Sequence, residues 1–434
     1  MDTLFQNALV LTMEDGCPVI ENGCVGISGH NIVYVGQEKP EASAPRTIDC
    51  RGDILMPGLV NAHAHAAMTL MRGYADDYDL HTWLYEKVFP VEHRLTADAV
   101  AAGTRLAFAE MLRTGTTSVS DMYFHEPQVA ALAMEVGMRV SLCNGIVALD
   151  GVLDPLDRSL TELDALVRDF HGRGDGLVRA DASIHGEYTS FPGAWRHAAE
   201  LAKKHGLVLH LHLSETRREH EECVARRGVT PARALYENGV FEAKTLAAHC
   251  VWVTEDDMAL LSAHGASAVH NPVSNLKLGS GIAPVARLME HGVNVALGTD
   301  GCCSNNSHDL FEEIKLAALL QKGTLCDPTA VTAYQALKMA TVNGARAQGR
   351  GDHTGTVECG KRADLILINT HSPGMRPLYS PQSAVAYAAR GGDVRLTMVN
   401  GKILYENGQF TTIDVERAIR EADGFAKALV LKEA

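Results

Sequence analysis

Between about residues 55 and 355, short apolar runs alternate with longer stretches whose apolar positions recur every three to four residues, which predicts strands and amphipathic helices in turn. The apolar runs are ILMPGLVNAHAH, TTSVSDM, RVSLCNGI, LVRADASIHG, LVLHLHLSE, TLAAHC, ASAVHNPVSN and VNVALGTDG, each followed by polar residues and a helix-like segment. Eight strand–helix units in series predict an α/β fold, a (β/α)8 TIM-like barrel over residues 56–355. The flanks lack helical periodicity. Residues 1–55 hold short strands broken by turns, such as NALVLT, CVGIS and IVYVG around the turn SGHN. Strands and turns return in ADLILIN and VRLTMVNGKILYENGQF. We expect residues 1–55 and 356–412 to pair into one small β-sandwich domain, with a C-terminal helix over residues 413–434.

Composition narrows the class. Hydrophobic residues make up 46% of the 434, enough for one large globular unit with appendages. The formal net charge of −14 comes from 53 scattered acidic residues, a solvated surface that argues against a nucleic-acid partner. The amino terminus, MDTLFQNALVLTMEDG, lacks the charged and apolar regions of a secretory signal, and no segment reaches membrane-spanning length. Ten cysteines run from Cys17 to Cys359 without a CxxC pair, and Cys302 and Cys303 are adjacent, a poor spacing for a structural disulfide. We expect reduced thiols in a cytoplasmic protein with no membrane partner, and the pattern is compatible with a homo-oligomer. No glycine-rich phosphate loop links a strand to a helix.

The chemistry gathers at strand ends. His63 and His65 lie two apart at the end of the first barrel strand, so both imidazoles point to one side. Alone the pair is a weak signal in a chain with 20 histidines. His212, His249 and Asp300 strengthen it, because each sits at the carboxyl end of another barrel strand. His210 lies deeper on the same face as His212 and reads as a hydrogen-bonded core histidine. The fourth strand, LVRADASIHG, has no lysine to carry a bridging carbamate, so one divalent metal is the simpler reading. Imidazoles with one carboxylate suit zinc, and iron or manganese would tolerate the same set. A bound metal lowers the pKa of water towards about 7. Glu215, three residues past His212, is placed to carry a proton from such a water to a leaving group; the competing reading is a carboxylate at a helix start.

The strings PGLVNAHAHAAMTLMRG, SDMYF, HLHLSET, AAHC, HNPVSNLKLGSGIAPV and LGTDGCCSNNS resemble, in order and over nearly the whole chain, the S-adenosylhomocysteine and 5′-methylthioadenosine deaminases of the amidohydrolase superfamily. The resemblance implies hydrolytic replacement of the 6-amino group of an adenosine-type nucleoside. It implies that His63, His65, His212 and Asp300 hold the metal, with Asp300 also stabilising charged oxygen. Glu215 would shuttle protons, and His249 would orient the attacking hydroxide and polarise the ring. Glu92, in FPVEHRLT, falls where the family holds the ribose hydroxyls, and His185, in ASIHGEYTS, where a histidine touches the nucleoside. Without the resemblance, Glu92 reads as a solvated charge and His185 as a strand-end cap. Trp83 lies in the segment expected to cover the barrel mouth, where it either stacks on a purine or packs. Asn144 stands where the homocysteine deaminases have a carboxylate-binding arginine, and Arg158 falls near the family's second arginine.

Candidate substrates are 5′-methylthioadenosine, S-adenosylhomocysteine, 5′-deoxyadenosine and adenosine. The alternatives are a guanine-type deaminase or a triazine-like chlorohydrolase on the same scaffold. A non-catalytic metal-binding protein would have no use for Glu215 beside the ligands.

Overall fold

The structure, a computed structural model, describes residues 1–16, 18–41 and 43–430. Cys17 and the last four residues of the expected terminal helix lie outside them. All eight expected barrel strands are present and parallel. They are Leu59–His65, Thr116–Met122, Arg139–Cys143, residues 178–183, Leu209–Leu213, Thr245–His249, Ser267–His270 and residues 294–301. The fourth is interrupted at Asp181 and the eighth at residues 298–299. Each interrupted strand pairs on one side with each half of the barrel: Asp300 aligns with Ala64, and Ala182 with Leu209, which closes the ring. The break in the eighth strand sits at Gly298, where a Cβ would stand 2.7 Å from the His63 carbonyl oxygen and 2.9 Å from its Cβ. Only glycine lets the two strands approach so closely.

The amino-terminal end of the barrel is closed. Gln348 exchanges hydrogen bonds with Ser118 (2.6 Å) and Ser120 (3.1 Å) inside the barrel, and Ala62, Val208, Leu246, Val269 and Ala296 pack above it with Ala347. Chemistry is therefore confined to the opposite, carboxyl-terminal face.

The two chain ends form one nine-stranded sheet. Its join is the antiparallel pairing of Ile54–Pro57 with Leu365–Ile368. Both strands are apolar at every position, and the period of two explains why: Ile54, Met56, Ile366 and Ile368 face the barrel's apolar core, while Leu55, Leu365 and Leu367 pack with Phe5, Val25, Ile27 and Met398 in a second core. The helix Val415–Val430 lies against Ala97–Arg113, burying Ala418, Ala422 and Leu429. No described helix is long and apolar enough to cross a membrane.

Candidate metal centre and active site

His63 and His65 end the first barrel strand, His212 the fifth and Asp300 the eighth. Among the described residues the three imidazoles form a group of ligand-type atoms within 4.8 Å of one another. Asp300 Oδ1 lies 3.5 Å from His63 Nε2 and 3.2 Å from His65 Nε2. Ligand atoms held tetrahedrally about 2.1 Å from a zinc ion stand roughly 3.4 Å apart, so the spacing fits. The far ring nitrogens fix the tautomers. His65 Nδ1 donates to Met122 O (2.5 Å) and His212 Nδ1 to His185 O (2.7 Å), which leaves each Nε2 a lone pair for a cation. His63 Nδ1 stands 2.8 Å from His210 Nε2, while its own Nε2 is buried with no hydrogen-bond partner. A divalent ion would satisfy that orphaned atom. Burial lowers His212 to about 4 and His63 well below the ordinary value, so both are neutral. Burial would lower His65 too, but the Asp300 hydrogen bond raises it to about 9, so a cation there would displace its Nε2 proton.

Two serines turn Asp300. Ser274 Oγ (2.6 Å) and Ser304 Oγ (2.9 Å) both donate to Oδ2, leaving Oδ1 for the imidazoles. Although burial alone would raise Asp300, His63 and His65 hold it well below the usual carboxylate range. Glu215 Oε1 accepts from Ser280 Oγ (3.3 Å), and Oε2 faces His249 Nε2 at 3.6 Å. Burial, then the charges of Asp300 and Glu219, push Glu215 well above the ordinary value. The helix-start reading of Glu215 fails: Thr216 caps the following helix, and Glu219 accepts the Ser214 and Glu215 amides. Ser214, His249, Cys250 and Asp300 all have left-handed backbone (φ 47°, 73°, 50° and 62°), strain gathered around the imidazole cluster and Glu215.

His65, His212, Glu215, His249 and Asp300 line an open cavity that also takes in Glu92, Trp83, His185 and Asn144. Glu92 is 8% exposed, which overturns its reading as a solvated charge. Burial raises it to about 7, against the neighbouring Tyr123 hydroxyl and the His65 charge. His185 Nδ1 pairs with Thr189 Oγ1 at 3.0 Å, and its ring lies 4.7 Å from that of His212. Trp83 is buried in the wall, 5% exposed, on the segment that covers the barrel mouth. Asn144 donates one of its two amide hydrogens to Glu162 Oε2 at 3.0 Å. Arg158 is not among the residues lining this cavity. It is exposed in an adjoining groove that shares Glu92, Phe124, Asn144 and Val147, with its guanidinium 5.8 Å from the Phe124 ring centre.

Sequence reasoning assigned no role to Ser274, Ser280, Ser304, Asn271 or Asn275. A signal existed in HNPVSNLKLGSG, where Asn271, Ser274 and Asn275 are spaced i, i+3, i+4 and so share one face of the short helix Pro272–Lys277.

Residues 54–404 match the amidohydrolase family. The chain belongs to that family. It is similar to a 5-methylthioadenosine/S-adenosylhomocysteine deaminase of Moorella thermoacetica, 44% identical over 92% of this chain and 93% of the relative. It is likewise similar to a 5′-deoxyadenosine deaminase of Methanosarcina mazei, 42% identical over 99% of each chain. Among solved structures, an adenosine deaminase from Xanthomonas campestris with bound zinc superposes with a TM-score of 0.91 at 35% identity, over 99% of this chain and 98% of that one.

Proposed function

We propose that this amidohydrolase is a mononuclear hydrolytic deaminase that replaces the 6-amino group of an adenosine-type nucleoside by oxygen, releasing ammonia. The observation that carries the reading is the convergence of three Nε2 atoms and Asp300 Oδ1 beside Glu215, in a cavity whose far side holds a buried carboxylate, Glu92. His63, His65, His212 and Asp300 would hold one divalent ion, which when bound acidifies water for attack at neutral pH. The nitrogen-rich donor set and the zinc of the Xanthomonas relative favour zinc, with iron or manganese tolerated. Glu215 takes the first proton from water and delivers it to N1 of the ring; it then takes the second from the hydroxyl added at C6 and delivers it to the amino group, which leaves as ammonia. His249 donates to the charged oxygen; Asp300, an ionised carboxylate turned by two serines, acts as a ligand and not as a donor to that oxygen. Glu92 accepts from the ribose hydroxyls, His185 contacts the nucleoside, and Trp83 walls the base site.

Glu92 separates this reading from a guanine-type deaminase or a triazine-like chlorohydrolase, whose substrates carry no ribose. A hydrogen bond to a charged group contributes about 1.5–3 kcal/mol, so Glu92→Gln is expected to lower kcat/KM for adenosine roughly 10- to 150-fold. Because the carboxyl is raised to about 7, it is neutral below that pH and a carboxylate above it. Nucleoside kcat/KM should therefore rise as pH climbs through about 7, and that limb should vanish in Glu92→Gln. An unchanged rate in the variant favours the ribose-free alternatives.

The 5′ substituent meets Asn144, Phe124, Val147 and, further out, Arg158. Asn144 is neutral and gives one of its two amide hydrogens to Glu162, so no charged clamp for an amino acid carboxylate stands at that position. We expect 5′-methylthioadenosine, 5′-deoxyadenosine or adenosine to match or exceed S-adenosylhomocysteine in kcat/KM. A preference of more than about tenfold for S-adenosylhomocysteine, about 1.4 kcal/mol, refutes this; selective loss of that substrate in Arg158→Ala would then identify Arg158 as the clamp.

We further divide the chain into a barrel, residues 56–355, a domain of residues 1–55 with 356–412, and a terminal helix. The separate apolar core around Phe5 and Leu365 supports the division and a sheet folded about that core as a sandwich. Buried, unlinked Cys302 and Cys303 favour a reducing compartment such as the cytoplasm.

A further inference from the structure

The imidazoles of His63, His65, His212 and His249 crowd the barrel mouth, with neighbouring ring centres 4.9–5.5 Å apart, and the atoms behind His65, His212 and His249 divide those three into two kinds. Behind His65 and His212 stand backbone carbonyl oxygens, which only accept, so those rings donate from Nδ1 and keep Nε2 free to ligate. Behind His249 stand two side-chain amide nitrogens, Asn275 Nδ2 at 2.8 Å and Asn271 Nδ2 at 3.3 Å. An amide nitrogen only donates. His249 Nδ1 is therefore the acceptor, and the ring proton sits on Nε2, the atom facing Glu215.

We propose that Asn275 and Asn271 are positioning residues that fix His249 as an Nε2–H donor, so that the fourth imidazole of the cluster serves the reacting oxygen instead of binding the metal. The identity of that oxygen rests on the deaminase reading; the tautomer does not. The left-handed backbone at His249 and Cys250 ends the sixth strand and turns the ring towards the short helix that carries Asn275 and follows Asn271. Both amide oxygens are buried without a partner, so satisfying them does not explain the orientation of the two side chains. Rotating the amides would set two oxygens against one ring nitrogen and give His249 the polarity of His65 and His212, that of a ligand.

The consequence is a division of labour. Glu215 moves protons, while His249 keeps its own and donates a hydrogen bond to charge that develops on oxygen. Removing one such donor costs about 10²–10³ in kcat.

The test is the substitution Asn275→Asp, which is nearly isosteric but puts an acceptor behind Nδ1 and reverses the tautomer. Expected is a fall of about 10²- to 10³-fold in kcat, the range for a lost oxyanion donor. KM and zinc content should stay close to those of the unmodified protein. Asn275→Ala, which leaves Asn271 in place, is expected to fall less. A merely structural asparagine would give the opposite order, because alanine opens a cavity and aspartate does not. The second readout is the ¹⁵N spectrum of histidine-labelled, zinc-loaded protein, with His249→Gln supplying the assignment. It should show His249 protonated at Nε2 and unprotonated at Nδ1. A proton on Nδ1 in the unmodified protein, full kcat in Asn275→Asp, or alanine worse than aspartate would each overturn the proposal. The spectrum decides even if Asn275→Asp fails to fold. It also decides if the protein deaminates no nucleoside, which separates this inference from the function it builds on.

Discussion

Glu215→Gln lowers kcat by about 10²- to 10⁴-fold while the fold and the bound metal are retained, because an amide of the same shape cannot take a proton from water and pass it to N1. The surroundings suit the task. Burial, with Asp300 and Glu219 beside it, raises the carboxyl well above its ordinary value, which favours the protonated form that acts as the acid. Ser280 fixes one oxygen and leaves the other towards the cavity side. The checks are steady-state rates with adenosine derivatives, elemental analysis and circular dichroism. Loss of metal together with modest activity in excess zinc would instead make Glu215 a structural residue or a ligand.

Stripping the metal abolishes activity, and one equivalent of zinc per chain restores it. The ligand atoms are preorganised and buried, so the ion also stabilises the fold. With free zinc at 1,000 times its dissociation constant, the gain is about 4 kcal/mol, which for a chain of this size raises Tm by roughly 5 °C. Calorimetry with and without chelator reads this directly. The fourth strand carries no lysine to bridge a second ion, and among the described residues the ligand-type atoms converge in the one group His63, His65 and His212. Two ions per chain in active protein would sink the mononuclear assignment, and full activity in metal-free protein would sink the mechanism.

What the sequence made legible was local. The strands announced themselves as apolar runs, and the period of two put His63 and His65 on one side without knowledge of any neighbour. What it hid was non-local. Glu92 looks solvated in FPVEHRLT because its burial depends on the mouth segment folding back over the barrel towards Tyr123, supplied by the second strand. His210 was readable as a hydrogen-bonded core histidine. That its partner is His63, 147 positions away, was not. Asn144 was visible as a departure from the family, but its engagement with Glu162 depends on how the loop after the third strand packs. The pairing of Ile54–Pro57 with Leu365–Ile368 is the extreme case: both read as strands, yet nothing in either names the other.

That last pairing has a consequence for how the chain is made. Ile54–Pro57 emerges from the ribosome some 300 residues before the strand that covers its open edge. At about 5–20 residues per second the wait is roughly 15–60 s. Through that interval the nascent protein carries an apolar strand with an unsatisfied edge, a template for pairing with another chain. Synthesis that stalls anywhere between the barrel and residue 365 therefore releases a complete set of ligands on a body whose seam is still open, and such fragments should be prime clients for chaperones and proteases.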